Sequence, residues 1–402
     1  MKKLLCIISL LILVFVALNF FNYEVEDVIY MDDLSQMSIE EIYDYCDKLS
    51  LKLIVKEEYS DYPKGSFISQ SINKGDVIKP DTELTVIYSI GNYNDSYLYY
   101  KVNELGRIPV MMYHGIRDEE PKYIGGNIDK DGYHRTVEAF KKDLDFYYNN
   151  GYRMVRLIDY VNGEIDVPFG MSPIVITFDD GLVNNMKVIG LDSEGELIID
   201  PNCAIGILEE YKKKYSDYNV TATFFVNSSL FNQKEYDEKI LKWLIEHGYD
   251  IGNHSYNHAD FSKIDVDSTK YEIGRMYKTL DSIIGDKYVN IVALPFGSPY
   301  KKSHSNFEYI LDGSYDGFDY KTVSTLRVGW ESDYSPFSND FDKTLIKRIR
   351  AYDNNGDDFD IEYNFNNLKN NRYISDGNKD LIVFPSDKLN KYNYFSDNYI
   401  TY

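Results

Sequence analysis

The apolar run Ile174-Val-Ile-Thr-Phe stops on Asp179-Asp180-Gly181. Two adjacent carboxylates at the end of what reads as a buried strand are a pattern that does chemistry more often than it serves structure. Downstream lies His254-Ser-Tyr-Asn-His258, whose imidazoles are spaced i, i+4 and converge on one cation if the segment takes a single helical turn. Asp180, His254 and His258 then form a two-histidine, one-carboxylate set for a divalent metal, and Asp179 is left over as a base.

The elements that must carry these residues alternate between strand and helix. Residues 108–115 form an apolar strand ending on His114, residues 174–178 and 221–226 read as further strands, and residues 136–149 and 235–246 read as helices. That order is the one expected of an α/β barrel. In such barrels the reactive side chains project from the C-terminal ends of strands, where His114, Asp179 and Asp180 all fall. Residues 191–200, with an Asp-Ser-Glu-Gly turn, read as a hairpin inserted after the first motif.

Thr177-Phe-Asp-Asp-Gly181, His254-Ser-Tyr-Asn-His258, Thr221-Ala-Thr-Phe-Phe-Val226 and Leu294-Pro-Phe-Gly297, in that assembly, resemble the polysaccharide deacetylases, the NodB-like enzymes of carbohydrate esterase family 4. The resemblance runs over residues 107–402 and implies a deformed (β/α) barrel. It also implies hydrolysis of N-acetyl groups on a cell-wall polysaccharide, peptidoglycan amino sugars being the simplest case. Asp180, His254 and His258 would hold the metal, zinc first, with cobalt or another divalent ion as substitutes, and Asp179 would be the general base.

Two family motifs are altered. The arginine that normally braces the base is replaced in Ala293-Leu-Pro-Phe296, and Arg327 is the candidate substitute, its alternative being a surface or ion-pairing residue. Phe296 keeps the aromatic place beside Pro295, and its backbone N–H would be an oxyanion donor. The C-terminal histidine that serves as general acid is absent from residues 380–385. Some branches place a Tyr-His pair at the start of the domain instead, and Tyr113-His114 fits that arrangement, which makes His114 the candidate acid; its alternative is a histidine capping a strand end. Trp330 and Phe296 read either as a wall for a sugar face or as plain core. His134, His247 and His304 read as structural or solvent-facing.

The 402-residue chain carries a formal net charge of −22, which argues against nucleic acid or a polyanionic surface as the main partner. Three cysteines, Cys6, Cys46 and Cys203, make no disulfide framework. After a short tail, residues 1–3, residues 4–21 form a near-continuous apolar stretch with lysines before it and acids after it. This reads as one transmembrane signal-anchor with the rest of the chain outside the cell, the competing reading being a cleaved signal peptide.

Residues 22–33 form a linker. Residues 34–91 follow as a small α+β unit: a capping box at Ser38 and Glu41, a helix, then three strands with Gly65, Gln70, Gly75 and Gly91 at the places that resemble a PASTA domain. That module would hold the enzyme on peptidoglycan or act as a spacer. Residues 92–106 read as a polar, tyrosine-rich linker to the catalytic unit. Beside the deacetylase stand two other functions, an inactive glycan-binding or sensing protein and an O-acetyl esterase on the same scaffold.

Overall fold

A computed structural model describes residues 28–118 and 128–402. The expected membrane-spanning segment, residues 4–21, lies outside the described residues, and among these no helix is long and apolar enough to cross a membrane. The chain divides into two compact units, Met1–Ser96 and Tyr97–Tyr402.

In the first unit the helix Ile39–Leu49 starts at Ser38, where both halves of the capping box form: the Ser38 hydroxyl accepts from the Glu41 N–H and the Glu41 carboxylate accepts from the Ser38 N–H. Its buried face, Ile42 and Cys46, packs with Leu84 and Val86. These belong to the central strand Glu83–Ser89, which pairs parallel with Lys52–Glu58 and antiparallel with Phe67–Gln70. Gln70 ties down the entering chain, donating to the carbonyls of Asp32 and Ile72 and accepting from the Leu34 N–H.

The stretch read as a linker contains the helix Tyr93–Tyr100, and in the second unit Tyr97 is buried with Val102 and Val383. Tyrosine looks polar in a composition count but buries a whole ring, so a tyrosine-rich stretch packs where a serine-rich one would not. Glu104 continues the attachment. Its carboxylate accepts from the Tyr373 hydroxyl and the Val383 N–H, which fastens the C-terminal segment to the start of the unit.

The second unit is built on eight parallel strands, labelled β1 Val110–Tyr113, β2 Tyr152–Met154, β3 Ser172–Phe178, β4 Thr223–Val226, β5 Asp250–Asn253, β6 Ile291–Ala293, β7 Ser324–Leu326 and β8 Ile349–Arg350. The order is β7-β6-β5-β4-β3-β1-β8, with β2 paired to the first half of β3. Every residue of β3 is buried. A continuous apolar run is what a parallel strand covered on both faces requires. The sheet curls so that one stretch meets both of its edges: the Ile346 N–H donates to the Thr325 carbonyl in β7 and the Ile346 carbonyl accepts from the Arg327 N–H just after it, while three residues on β8 pairs with β1.

Helices cover the outside. The helix Val137–Asn149 is capped by the Thr136 hydroxyl, and buries Phe140, Leu144 and Tyr147 against the sheet. Full burial of side chains of this size is worth about 1.5–3 kcal/mol each. Phe178 of β3 stacks on Phe224 of β4 with ring centroids 4.9 Å apart and lies 5.5 Å from Tyr113 of β1. This aromatic layer fixes the ends of three neighbouring strands, the ends from which the candidate chemistry projects. The expected hairpin is present as Val188–Leu191 paired with Leu197–Ile199.

Candidate metal centre and active site

The register sets the first two groups side by side. Phe178 pairs with Tyr113, so Asp179 and His114 leave adjacent strand ends, and the Asp179 N–H donates to the Tyr113 carbonyl at 2.9 Å. The chain then turns sharply, with Asp180 at φ 74° and Gly181 at φ 58°. A Cβ on Gly181 would sit 2.1 Å from the Leu230 carbonyl oxygen, so only glycine fits. The turn sends the two carboxylates in different directions.

Asp179, 2% exposed, meets Arg348, which is fully buried. The guanidinium is bidentate, with Nη1 donating to Oδ1 at 2.8 Å and Nη2 to Oδ2 at 2.6 Å. Nη1 also donates to the Thr177 hydroxyl, and Nε donates to the main-chain carbonyl of Arg327 at 2.8 Å. Burial, the largest single influence, would raise the Asp179 carboxyl, but the charge and hydrogen bonds of Arg348 together with His254 and His114 hold the group below its ordinary range. The brace expected at Arg327 is therefore supplied by Arg348. Arg327 contributes its carbonyl oxygen, because β7 presents its backbone, not that side chain, to the segment that closes the sheet.

Asp180 faces the histidines. Its Oδ1 lies 3.2 Å from His254 Nε2 and 3.4 Å from His258 Nε2, and one ligand atom from each residue lies within 4.8 Å of the others. His254 Nδ1 is 2.8 Å from the Ala293 carbonyl, an N–H donation that fixes the tautomer and leaves Nε2 to bind a cation. Burial works against a charged His254, yet Asp179 and Asp180 raise its pKa, so a proton and a metal ion compete for the same Nε2 position. The donors suit a divalent ion: two imidazole nitrogens and one carboxylate oxygen, with the remaining positions open.

The histidine pair does not stand on a helical turn. Residues 254–258 form an irregular loop in which Ser255 and His258 take φ 59° and 57°. Glu272 holds this loop through the Asn257 N–H and side-chain amide, and its carbonyl accepts from the Tyr256 N–H. Asp180 and Phe296 are also left-handed, so four strained non-glycine residues bear on the site, as is common where backbone strain aims side chains.

His114 is 7% exposed and its Nδ1 is buried without a hydrogen-bond partner. Burial lowers its pKa, against the pull of Asp179 and Asp180. Phe296, at φ 58° and half-exposed, places its ring 4.7 Å from that of His258, while Pro295 beside it is buried. Trp330 is half-exposed and stacks on Phe359, not on any of the site residues. Gly329 before it packs against the main chain of Arg348.

His134 takes the structural of its two readings. It is 4% exposed, accepts from Arg117 at 2.7 Å, and is pushed down to about 4 by burial and then by the Arg117 charge. Its ring lies so close to Gly115 that a Cβ there would be 2.7 Å from Nδ1. The missed residue of the site is Arg348. Nothing in the local sequence singles it out, since it stands in the basic run Lys347-Arg348-Ile349-Arg350.

A curled parallel sheet with a braced carboxylate beside an Asp-His-His donor set defines a metal-site α/β domain of the hydrolase type. Comparison with known proteins makes this particular. Residues 206–308 match the family described as polysaccharide deacetylase, and residues 29–90 match the PASTA domain. The chain carries a polysaccharide deacetylase domain preceded by a PASTA domain. The first match takes in His254, His258 and Phe296 and begins after the inserted hairpin, so Asp179 and Asp180 lie before it.

A peptidoglycan-N-acetylglucosamine deacetylase of Bacillus cereus is 28% identical over 167 residues, 40% of this chain and 51% of that protein. The chain thus spans about half the length of the curated relative it matches. Among solved structures, a Streptococcus pyogenes deacetylase in complex with acetate aligns at 18% identity and TM-score 0.44, covering 61% of this chain and 92% of that one. A polysaccharide deacetylase from Bacillus cereus aligns at 20% identity and TM-score 0.42, covering 60% and 64%.

Proposed function

We propose that the protein is a metal-dependent N-deacetylase of a cell-wall polysaccharide, most simply the amino sugars of peptidoglycan. The observation that carries the reading is the convergence of Asp180, His254 and His258 next to the Arg348-braced carboxylate of Asp179. A divalent ion in that set, zinc in the first instance, would polarise the acetamide carbonyl and acidify a water. Asp179, kept ionised by Arg348, takes the water's proton through a lone pair the guanidinium leaves free. His114, across the strand end, delivers a proton to the leaving amine. The Phe296 N–H and the exposed Phe296 ring would meet the developing oxyanion and the sugar.

The N-terminal segment 4–21 would anchor the chain in the cell membrane with the catalytic unit outside. The PASTA domain would keep the enzyme close to its polymer and raise the effective substrate concentration. An O-acetyl esterase is the second reading, and one observation favours it: among the described residues no group orients His114 through Nδ1. An alkoxide leaves with less help from an acid than an amine does.

The test is acetate release by the full-length chain from peptidoglycan, from N-acetylated chito-oligosaccharides and from an O-acetylated glycan, with zinc or cobalt and after chelation. Metal-dependent release from the amides supports the N-deacetylase. Release from the ester alone moves the assignment to the esterase, and stoichiometric metal with no release from any substrate moves it to a glycan-binding protein.

A further inference from the structure

The metal centre occupies the C-terminal ends of the strands, and a second concave surface begins at the opposite end. Asn150 and Tyr152 at the start of β2, together with the segment that enters β1, border a cavity of about 650 Å³. It adjoins a second of about 510 Å³, the two sharing Lys101, Lys369, Arg372 and Ile374. Phe146, 40% exposed, backs onto the buried rings of Phe365 and Tyr152. Tyr100, 49% exposed, stands at the rim.

The charges around this groove are uneven. Lys101, Lys369 and Arg372 make no ion pair with a carboxylate among the described residues, and Lys388 joins them in the adjoining cavity. Arg372 is held in place by the Asn150 carbonyl at 2.8 Å and lies over the Tyr152 ring at 5.3 Å, so its donors are positioned without being neutralised. Of the acids in the larger cavity, Asp143 and Asp353 share one cation, Arg135, which also faces Asp129. Glu362 remains, and Asp387 borders the smaller cavity. The lining of the smaller cavity, Lys101, Lys369, Arg372 and Lys388 against Asp387, is a local reversal of sign on a chain with a net charge of −22.

We infer that this rim is a second ligand site, an anion-binding groove for a polyhydroxylated polyanion: a glycan or polyol chain bearing phosphates or carboxylates. The guanidinium and the two ammonium groups meet the anions, and the exposed rings of Tyr100 and Phe146 meet the apolar faces of the sugar or polyol units. A nucleic acid shares the anionic chemistry and is an outcome of the test, not the proposal. The groove lies away from the hydrolytic residues, so it would hold polymer without touching the reacting bond. The inference stands whether or not the metal centre turns over.

The experiment measures binding by the purified full-length chain to three probes at low and moderate salt: a poly(glycerol phosphate) oligomer, an oligogalacturonate and a single-stranded oligonucleotide, with neutral chito-hexaose as the control. The variant is the double substitution Lys101→Glu and Lys369→Glu, both exposed, with zinc stoichiometry and thermal unfolding recorded to show an intact fold. Salt-sensitive binding of the phosphate polymer or the oligogalacturonate, weakened at least about tenfold in the variant, is the expected result, and whichever binds identifies the anion. Binding of neither, binding unchanged by the double substitution, or tighter binding of the oligonucleotide overturns the proposal.

Discussion

Replacing Arg348 with methionine keeps most of the side-chain volume and removes the guanidinium. Asp179 would then be 2% exposed with neither of its bidentate bonds, and Thr177 and the Arg327 carbonyl would also lose a donor. Breaking one side of a buried ion pair costs about 3–5 kcal/mol, because the remaining charge stays buried. For a unit of this size each kcal/mol shifts the melting temperature by about 2 °C, so calorimetry should show a fall of roughly 6–10 °C near neutral pH. The companion variant Asp179→Asn with Arg348→Met removes the stranded charge and should recover at least half of that loss. Acetate release by the single variant should drop about 10²–10⁴-fold, the range expected when a general base is lost. A single-variant loss under about 1 kcal/mol, or a double variant no more stable than the single, would refute the claim that Arg348 exists to hold Asp179 ionised.

Asp180→Ala and His258→Ala should each abolish zinc binding in titration calorimetry, whereas Asp179→Asn should keep the ion and lose turnover; equal metal loss in all three would undo the division of roles. Gly181→Ala should lower the melting temperature and the yield of folded protein, by about 2–4 kcal/mol, since its Cβ meets the Leu230 carbonyl at 2.1 Å in a left-handed turn; a neutral effect would mean that the turn relaxes freely. Burial and the Arg117 charge depress His134 to about 4 in the folded unit, against about 6.5 unfolded. Below pH 6.5 the unfolded chain binds the extra proton, so denaturant unfolding should show stability present above pH 6.5 and falling toward pH 4, at up to about 1.4 kcal/mol per pH unit. His134→Gln should flatten that fall, and an unchanged slope would show that other groups set it.

The legible part of the fold was what depends on local sequence. The capping box at Ser38, the continuous apolar run of β3 and the hairpin after Lys187 are each written in neighbouring residues, and each appears within a few positions of its expected place. The metal set was legible for the same reason, since two short motifs carry all its residues. Its geometry was not. A spacing of i, i+4 suggests a helical turn, yet the loop reaches the same convergence through two left-handed residues held by Glu272.

Arg348 and His134 were hidden by distance. The base and its brace are separated by 169 residues and meet only because the segment after β7 crosses to β1 and closes the sheet. No local pattern encodes that closure, and the nearer arginine, Arg327, lies one strand away and offers only its carbonyl. His134 looked like a loop residue because its neighbours are Asp, Gly and Tyr; pairing of His134 and Arg135 with Gly115 and Ile116 is what buries it.

The most direct test of the account is a parallel measurement of bound zinc and released acetate on N-acetylated peptidoglycan, using the full-length chain and its Asp179→Asn variant. The account predicts one zinc per chain in both, acetate release by the first, and none by the second. Release that persists in Asp179→Asn, or zinc-loaded wild-type protein that releases no acetate, would contradict it.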